Sequence, residues 1–480
     1  MLFQTWDFVI FFSVVLGGLA LLRPGLRAWW LLAASWFFYG NFNPVFLIFL
    51  VYISLFDYWI GRGVAAAKTP FPRKLLVFFS VINGVALLGL FKYAGFITEN
   101  LQALCDRFDL GYKVPTLAES AGRVLDAMGL NYELTAAMLL PVGLSYFTFK
   151  SLSYTIDVYR GTVRCERSFI RYACYLAFFP TVLMGPIDRS GLFLRQLRHR
   201  IAVRKQDVAD GVSLFISGLF KKVVLADTLA VFVEKVYKSD VGDYNALTVL
   251  FATYAFAWQL YGDFSGYSEM ASGIARLMGF RITLNFNCPY VAVNFTDFWR
   301  RWHISLSTWF RDYVYIPLGG NRAAEWRIWL NLFITMVVSG FWHGEAWAFL
   351  IWGAWHGVLC VVWRFFDKAA WYLAIPKLIR QIVVFNLAAF GWIFFCSKAL
   401  DKAWGFVKIL FSWSSEGISL VPWYMFALVA AVWGYQLVYD SKFRRYLEFA
   451  PVRYLLMALV ILLIMAVPGD ANQKFLYFDF

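Results

Sequence analysis

Long apolar runs separated by short charged connections recur along the whole chain. A helix needs roughly 20 mostly apolar residues to cross about 30 Å of hydrocarbon, and many of these runs approach that length. The longer runs are residues 6–22, 44–60, 75–93, 212–233, 247–261, 347–363, 381–396, 420–438 and 454–467. Shorter runs, or runs broken by proline or glycine, are residues 28–39, 136–149, 172–186 and 330–342. The pattern predicts an all-α bundle with about a dozen membrane segments.

Composition supports a membrane location for these runs. Of the 480 residues, 61% are hydrophobic and only 15% are charged. The mean hydropathy of +0.61 is far above that of a soluble globule, which needs charged residues to cover its surface. The sequence therefore predicts a polytopic membrane protein. No internal repeat or soluble linker stands out, so residues 1–480 are predicted to form one domain.

The charges between the runs predict an orientation. The connection that carries Arg62, Lys68, Arg73 and Lys74 is purely basic, whereas residues 98–134 are mainly acidic. By the positive-inside rule the basic connection is cytoplasmic, and the same alternation places both termini outside. The net charge of +14 then reflects orientation and contact with anionic membrane lipid. Nucleic-acid binding is disfavoured because the basic residues are scattered among the apolar runs.

Familiar soluble-enzyme motifs are missing from the sequence. It contains no Walker A pattern, no G-x-G-x-x-G, no H-E-x-x-H and no G-x-S-x-G. The six cysteines form no C-x-x-C pair and mostly lie in apolar runs, so neither disulfides nor a metal site is predicted. Any chemistry must use other residues.

An unusual concentration of polar and aromatic residues occupies positions 261–327. Its prolines and glycines fit a non-spanning element that lies at the interface or dips into the bilayer and lines a cavity. Arg300, Arg301 and Arg311 suit an anionic donor, because a guanidinium binds two phosphate oxygens at once. The alternative is an interfacial aromatic belt whose arginines reach the lipid headgroups.

His303 lies in the middle of this segment. Asp297, Asp312 and Ser307 are near enough in sequence to orient its ring. A histidine that ties the loop together is as compatible with the pattern as a catalytic one.

His343 is the stronger candidate for chemistry. It follows Trp342, precedes Gly344 and ends an apolar run that begins at Leu330, which is too short to cross the bilayer as a straight helix. A helix that stops there leaves the imidazole facing the protein interior. In one continuous helix His343 and His356 would lie about 20 Å apart and could not share a metal ion. His356, among tryptophans, is interpreted as a packed histidine rather than a reactive one.

These residues resemble a known family. The stretches 297–307 and 311–322, together with Trp342-His343-Gly344, are similar to the membrane-bound O-acyltransferases, and in particular to their bacterial alginate O-acetylation subgroup. Supporting similarities occur at residues 141–149, 154–161, 185–187, 221–223 and 263–268. The resemblance covers about residues 141–357.

The resemblance implies a fold, a site and a reaction. The fold is a helical membrane bundle with re-entrant or interfacial helices around a central tunnel. His343 is the catalytic histidine and His303 the second polar residue, while Arg300, Arg301, Arg311, Trp342 and Asp297 bind substrate. The donor is a cytoplasmic thioester, acetyl-CoA, with no bound cofactor or metal.

The same resemblance places the protein in the bacterial inner membrane, where the alternation of loop charges makes both termini periplasmic. Its partners are then periplasmic proteins that accept the acetyl group or modify polysaccharide, and the final acceptor is an exported polysaccharide such as alginate.

The mechanistic hypothesis is acyl transfer in which His343 takes the proton of an attacking hydroxyl. A covalent acyl-histidine is an open alternative. Two other functions remain open at this point. One is transfer of D-alanine or another acyl group to a cell-envelope polymer. The other is a transporter or flippase without acyl chemistry, which would favour paired broken helices in two related halves.

Overall fold

The fold was examined in a computed structural model that describes residues 1–127, 141–199, 203–467 and 475–476. Over these residues the regular structure is helical, apart from an isolated bridge between Tyr244 and Ile418. The prediction of an all-α fold is confirmed. The first part of the predicted run 136–149 and most of the carboxy-terminal tail lie outside the described residues.

The chain divides into two compact units. The first comprises Met1 and residues 6–201. Its helices are α1 (Trp6–Leu21), a short 3-10 turn (Pro24–Leu26), α2 (Arg27–Gly40), α3 (Pro44–Ala66), α4 (Pro70–Phe91), α5 (Ala94–Arg107), α6 (Leu117–Ala127), α7 (Leu144–Arg160), α8 (Phe169–Ala177) and α9 (Ser190–Arg198). Helices α3 and α4, with 23 and 22 residues, are long and apolar enough to cross a membrane.

A buried polar network holds the first unit together. The Asp57 carboxylate on α3 accepts hydrogen bonds from the Ser80 hydroxyl of α4 at 2.6 Å and from the Ser151 hydroxyl of α7 at 2.5 Å. Beside it, a Cβ on Gly61 would lie 2.7 Å from the Tyr154 ring, so the two helices can approach this closely only with glycine there. Buried polar groups that are satisfied in this way fix how the three helices pack.

The second unit comprises residues 2–5 and 202–480. Its elements begin with α10 (Lys205–Phe220), a π-helical turn (Lys221–Ala226), α11 (Asp227–Tyr237), α12 (Ala246–Leu277), a 3-10 turn (Pro289–Val291), α13 (Phe295–Arg301), α14 (Ile304–Phe310) and a second π-helical turn (Arg311–Tyr315). They continue with α15 (Glu325–His343), α16 (Trp347–Phe366), α17 (Ala370–Ala374), α18 (Lys377–Ser397), α19 (Leu400–Ser412), α20 (Trp423–Tyr439), α21 (Arg444–Leu447) and α22 (Ala450–Ala466).

Helix α12 is the axis of the second unit. It runs for 32 residues and most of its side chains are buried. It crosses α10 closely, because a Cβ on Gly218 would lie 2.5 Å from the Gly266 carbonyl oxygen. Next to this crossing, the buried Lys222 ammonium pairs with Asp227 at 2.8 Å and Asp263 at 2.9 Å. Small residues and a paired buried charge are typical of contacts between membrane helices.

The long apolar runs largely coincide with helices, with three differences. Residues 261–277, predicted to belong to a non-spanning element, continue α12 as regular helix. Of the run 172–186, only the part up to Ala177 is helical. Helix α15 has 19 residues, about 28 Å, because it begins at Glu325 rather than at Leu330. The helix is therefore longer than the predicted run, but it is not among the described helices that combine the length and the apolarity expected of a span, so its failure to cross the bilayer stays a prediction. Its end at His343 is confirmed.

Among the described helices, four meet both the length and the apolarity expected of a membrane span: α3, α4, α16 and α18. The shorter apolar helices α1, α20 and α22 fall below that length. The total of about a dozen segments, the central tunnel and the single-domain organisation therefore remain predictions.

Candidate active site

His303 occupies a strained position between α13 and α14. Its backbone has φ 41° and ψ 55°, the left-handed conformation that a non-glycine residue rarely adopts. Strain of this kind persists only where surrounding contacts impose it, and it is concentrated at functional sites. The left-handed residue turns the chain sharply, so that the ring points into the protein and is fully buried.

Asn285 provides the contacts that impose this turn. Its carbonyl oxygen accepts from the Ile304 amide at 2.8 Å. Its side-chain oxygen accepts from the Ser305 hydroxyl at 2.9 Å and from the Ser305 amide at 3.3 Å. Its side-chain amide in turn donates to the Ser268 hydroxyl at 3.1 Å, which ties the turn to α12. Asn285 therefore satisfies the first free amides of α14 and holds His303 in place.

The ring of His303 lies among aromatic side chains. Its centroid is 4.5 Å from that of Phe264 in an edge-to-face arrangement, and 6.4 Å from that of Phe286. Neither ring nitrogen has a hydrogen-bond partner in the part of the chain that the structure describes. Burying a polar group without a partner costs about 1–3 kcal/mol of folding free energy. The fold bears this cost at His303, where the two ring nitrogens are left able to bind a substrate.

The end of α15 places His343. It is the last helical residue and is 3% exposed. Gly344 follows in extended conformation, and a Cβ on it would lie 2.0 Å from the Phe349 ring. Only glycine allows the chain to leave the helix against this ring. The order tryptophan, histidine, glycine thus reflects packing at a helix end.

A close crossing of α15 and α16 fixes where the carboxyl end of α15 lies along α16. A Cβ on Gly340 would lie 2.3 Å from the Phe349 carbonyl oxygen and 2.9 Å from the Gly353 Cα. A Cβ on Gly353 would lie 2.5 Å from the Met336 carbonyl oxygen. The two helices therefore meet backbone to backbone one turn before His343.

The turn that Asn285 holds and the helix crossing that precedes His343 bring the two histidines together. The ring centroids of His303 and His343 are 6.4 Å apart, at an angle of 51°. The His343 ring also contacts the rings of Trp352 at 5.1 Å and Phe395 at 5.4 Å. One substrate oxygen that made a hydrogen bond of about 2.9 Å to each imidazole would bridge a gap of this size. The pair can therefore act on one reacting centre, with one imidazole moving a proton and the other steadying the charge that develops on a neighbouring oxygen.

His356 lies close by but in a different environment. Its ring is fully buried among aromatic rings and, in the described part of the chain, neither of its nitrogens has a hydrogen-bond partner. The centroids of Trp352 and Trp299 lie 4.9 and 5.2 Å away. A Cβ on Gly391 would be 3.1 Å from its Nε2 atom, which leaves little room on that side. This geometry favours the packed role predicted for His356.

Arg301 lies in an ion-pair network. Its guanidinium donates to Asp297 and to Asp440, both at 2.8 Å, and Asp440 also accepts from Lys377 at 2.9 Å. Partial burial raises the pKa of Asp440, but the bonds from Lys377 and Arg301 outweigh it and hold that pKa below its ordinary value. Arg301 therefore ties α13 to Asp440 at the end of α20, and Asp297 pairs with Arg301 from within α13, which competes with the predicted role of both residues in holding substrate.

The other two predicted arginines are more accessible. Arg300 is exposed, and Arg311 is also exposed with its Nε atom 2.8 Å from Asp312. The predicted neighbours of His303 do not hydrogen-bond its ring. Asp297 and Asp312 pair with arginines, and the Ser307 hydroxyl donates to the Trp302 carbonyl oxygen at 3.1 Å. That prediction was wrong, because each short acidic side chain is satisfied by the nearest cation.

Sequence reasoning missed the positioning residues. Asn285, Ser305 and Ser268 stood in the polar segment without an assigned role, and Gly353 was not singled out. Their importance depends on contacts across 17 to 20 residues of chain, which no local spacing reveals. A signal was nonetheless present in the polar residues Ser268 and Asn285, which stand among aromatic neighbours.

The sequence comparisons identify the family of the chain. Residues 116–400 match the membrane-bound O-acyltransferase family, a wider range than the resemblance at residues 141–357. The "Probable alginate O-acetylase AlgI" of Azotobacter vinelandii is 37% identical over 425 residues, which is 87% of this chain and 80% of the relative. The peptidoglycan O-acetyltransferase of Helicobacter pylori is 32% identical over 407 residues, 78% of this chain and 72% of the relative.

A third relative extends the range of acyl groups. The teichoic acid D-alanyltransferase of Bacillus subtilis is 31% identical over 279 residues, 54% of this chain and 69% of the relative. The family match covers more than half of the chain, including both histidines of the buried pair. With its apolar helices and this match, the chain belongs to the membrane-bound O-acyltransferase family and is an O-acyltransferase of the membrane.

Proposed function

We propose that this enzyme moves an acetyl group from acetyl-CoA on the cytoplasmic side across the membrane for O-acetylation of an exported polysaccharide such as alginate, either directly or through a periplasmic acceptor protein. The observation that carries the proposal is the buried pair of His303 and His343, 6.4 Å apart between ring centroids. The names of the alginate and peptidoglycan relatives support an acetyl group and a cell-envelope polymer.

In this proposal His343 is the general base. It takes the proton from the acceptor hydroxyl as the oxygen attacks the thioester carbonyl. When the C–S bond then breaks, His343 returns that proton to the departing thiolate, which leaves as the thiol. His303, whose nitrogens have no partner in the described part of the chain, donates a hydrogen bond to the oxyanion that develops on that carbonyl. The aromatic surroundings keep water away from the thioester.

The buried position of the pair sets a condition for access. His343 is 3% exposed and His303 is fully buried, so substrates reach them through a passage or by movement of the surrounding aromatic side chains. Arg300 and Arg311 are the exposed cations of the segment and can receive the phosphates of the donor. Arg301 has a positioning role instead, because two carboxylates already pair with it.

The test uses purified protein in liposomes with radiolabelled acetyl-CoA and an oligosaccharide acceptor. Wild type should release CoA and label the acceptor, whereas His343→Gln should lose about 100-fold or more in rate, the usual range for a general base. His303→Ala should lose rate as well. A folded His343→Gln protein with the wild-type rate would exclude this role for His343.

The donor can be tested separately. The D-alanyltransferase relative makes an acyl group other than acetyl a second candidate. Acetyl-CoA and aminoacyl thioesters on a carrier protein are offered in parallel, and the proposal requires turnover with acetyl-CoA. Turnover with the carrier-bound aminoacyl group alone would assign the enzyme to the second candidate.

Acceptor and location follow from the same proposal. We place the enzyme in the bacterial inner membrane with both termini periplasmic, and expect periplasmic partners to receive the acetyl group or modify the polysaccharide. Reporter fusions that require export, placed at each terminus, should be active. An inactive fusion at the amino terminus would reverse the proposed orientation.

A further inference from the structure

The first unit, which does not include the histidine pair, contains a basic cavity. It is open to the outside, has a volume of about 840 Å³, and is lined by side chains from three segments: the end of α3, residues 164–171 and the end of α9. Its polar lining consists of Arg62, Arg164, Glu166, Arg167, Arg171 and Arg198, with Cys165. Five arginines against one glutamate leave the lining with a net charge of +4.

Glu166 organises two of these arginines. It is 1% exposed, and its two oxygens each take one guanidinium: Oε1 accepts from Nε and Nη2 of Arg171, and Oε2 accepts from Nε and Nη2 of Arg198. Two backbone amides, those of Arg167 and Ser168, also donate to Oε1. The carboxylate is saturated, and both guanidiniums are held in fixed orientations with their Nη1 groups unused among the described residues.

The charge state of Glu166 agrees with this arrangement. Burial raises the pKa of the carboxyl, but the hydrogen bonds from Arg171, Ser168 and Arg198 outweigh it and lower that pKa below its ordinary value. Glu166 is therefore ionised at neutral pH and neutralises one of the five cations.

The remaining three arginines are unneutralised. Arg62, Arg164 and Arg167 are exposed, and their guanidinium groups make no hydrogen bond or ion pair within the described residues. A concave site with an excess of guanidiniums, two of them fixed, suits a phosphate group, whose oxygens accept forked hydrogen bonds. The Tyr58 hydroxyl donates to the Arg167 carbonyl oxygen at 2.7 Å and fixes the loop that carries this charge.

An apolar groove lies on the same helix as Arg62. It has a volume of about 480 Å³ and is lined by Tyr52, Leu55, Phe56, Trp59, Ile60 and Leu76. Trp59 is 65% exposed there and stands one helical turn, about 5 Å along the axis, before Arg62. An indole at this position is typical of the boundary between hydrocarbon and headgroups.

We infer that the arginine cavity binds the phosphate headgroup of an anionic phospholipid whose acyl chains lie along the groove of α3 and α4. Charge and shape both favour this ligand, because the cavity supplies the cations and the neighbouring groove supplies an apolar surface on one continuous helix. The inference concerns a site separate from the histidine pair and does not depend on the acyl donor or acceptor.

The experiment measures lipid retention and thermal stability of the full-length protein in detergent. Phosphatidylglycerol is added, with phosphatidylcholine as the zwitterionic lipid and glycerol 3-phosphate as the soluble phosphate ester. Phosphatidylglycerol should bind and raise the melting temperature more than either of the others. Native mass spectrometry should show at least one retained phosphatidylglycerol.

The variants remove charges that have no hydrogen-bond or ion-pair partner among the described residues. Arg164→Gln combined with Arg167→Gln should weaken phosphatidylglycerol binding about 30-fold, from about 1 kcal/mol per cation. The matched control combines Lys74→Gln with Arg107→Gln, which removes two exposed cations outside the cavity and should leave binding unchanged.

Two results would overturn the inference. Phosphatidylglycerol binding that falls equally in both double variants would reduce the effect to general surface charge. Equal stabilisation by glycerol 3-phosphate, with no additional gain from phosphatidylglycerol, would replace the lipid with a soluble phosphate ester.

Discussion

The crossing of α15 and α16 offers a direct test of how the helix end positions His343. In Gly340→Ala the added methyl group would lie 2.3 Å from the Phe349 carbonyl oxygen and 2.9 Å from the Gly353 Cα. Both contacts are to backbone, so no side-chain rotation relieves them. Ordinary contacts begin near 3.4 Å, and the two helices must therefore separate locally by about 1 Å.

The loss in free energy of unfolding caused by Gly340→Ala follows from this displacement. Overpacking of this kind costs about 1–3 kcal/mol, and backbone contacts place it at the upper end. The better helix propensity of alanine offsets up to about 1 kcal/mol, which leaves a net loss of roughly 1–2 kcal/mol. His343 follows Gly340 by less than one turn, and a misplacement of about 1 Å at a reacting group reduces turnover by about 100-fold. Activity should therefore fall far more than stability.

The assay compares thermal unfolding with acyl-transfer rate on monodisperse protein, at a temperature well below the transition. Gly434→Ala is the matched control, because it is also a glycine within a helix of the second unit but has nothing within 4 Å of the added Cβ. It should leave the rate unchanged and the stability equal or slightly higher. Wild-type rate and stability in Gly340→Ala would refute the idea that this crossing sets the position of His343.

Three further predictions address other parts of the molecule. Asn285→Ala removes the acceptor of the Ser305 amide and hydroxyl, so it should lower kcat more than it raises KM and cost about 1–3 kcal/mol of stability; an unchanged kcat would contradict the positioning role. Glu166→Gln should destabilise the protein at pH 7, and its difference from wild type should shrink as pH falls through the lowered pKa of Glu166, because a carboxylate with a depressed pKa stabilises only while ionised; a difference that does not vary with pH would contradict this. His356→Leu removes two buried ring nitrogens that lack partners in the described chain, so acyl transfer should stay within a few-fold of wild type; a loss as large as that of His343→Gln would make His356 part of the chemistry.

Hydropathy predicted the positions of most long helices because each apolar run must satisfy its own backbone once water is excluded. It misplaced elements where polar residues are buried by the protein. Residues 261–277 contain Asp263 and Ser268 and were read as non-spanning, yet both side chains are buried inside a regular helix. The carboxylate of Asp263 is tolerated there because Lys222 pairs with it at 2.9 Å. The hydropathy of one apolar run cannot reveal an ion-pair partner that lies 41 residues away in the sequence.

The basic connections show the opposite case, in which a rule about membrane orientation also drew attention to residues that share a cavity. Charge bias placed the basic connection that carries Arg62 on the cytoplasmic side, as a statement about orientation only. In the structure Arg62 lines one cavity together with Arg164 and Arg198. No pattern in the sequence indicated that Glu166 orients these arginines, because a lone acidic residue among arginines has no distinctive spacing.

The approach of His303 to His343 is the feature that local sequence could least reveal, and it depends on two unrelated constructions. One is the left-handed turn at His303, which Asn285 stabilises from 18 residues upstream. The other is the glycine crossing that ends α15 at His343. Either feature without the other would leave a single buried imidazole that only packs against its neighbours, as His356 does. Their coincidence makes a pair in which one ring can take a proton while the other steadies the charge that results. Variants of Asn285 and of Gly340 act on separate halves of this arrangement, so their effects on turnover should be strongly non-additive if the pair works as a unit.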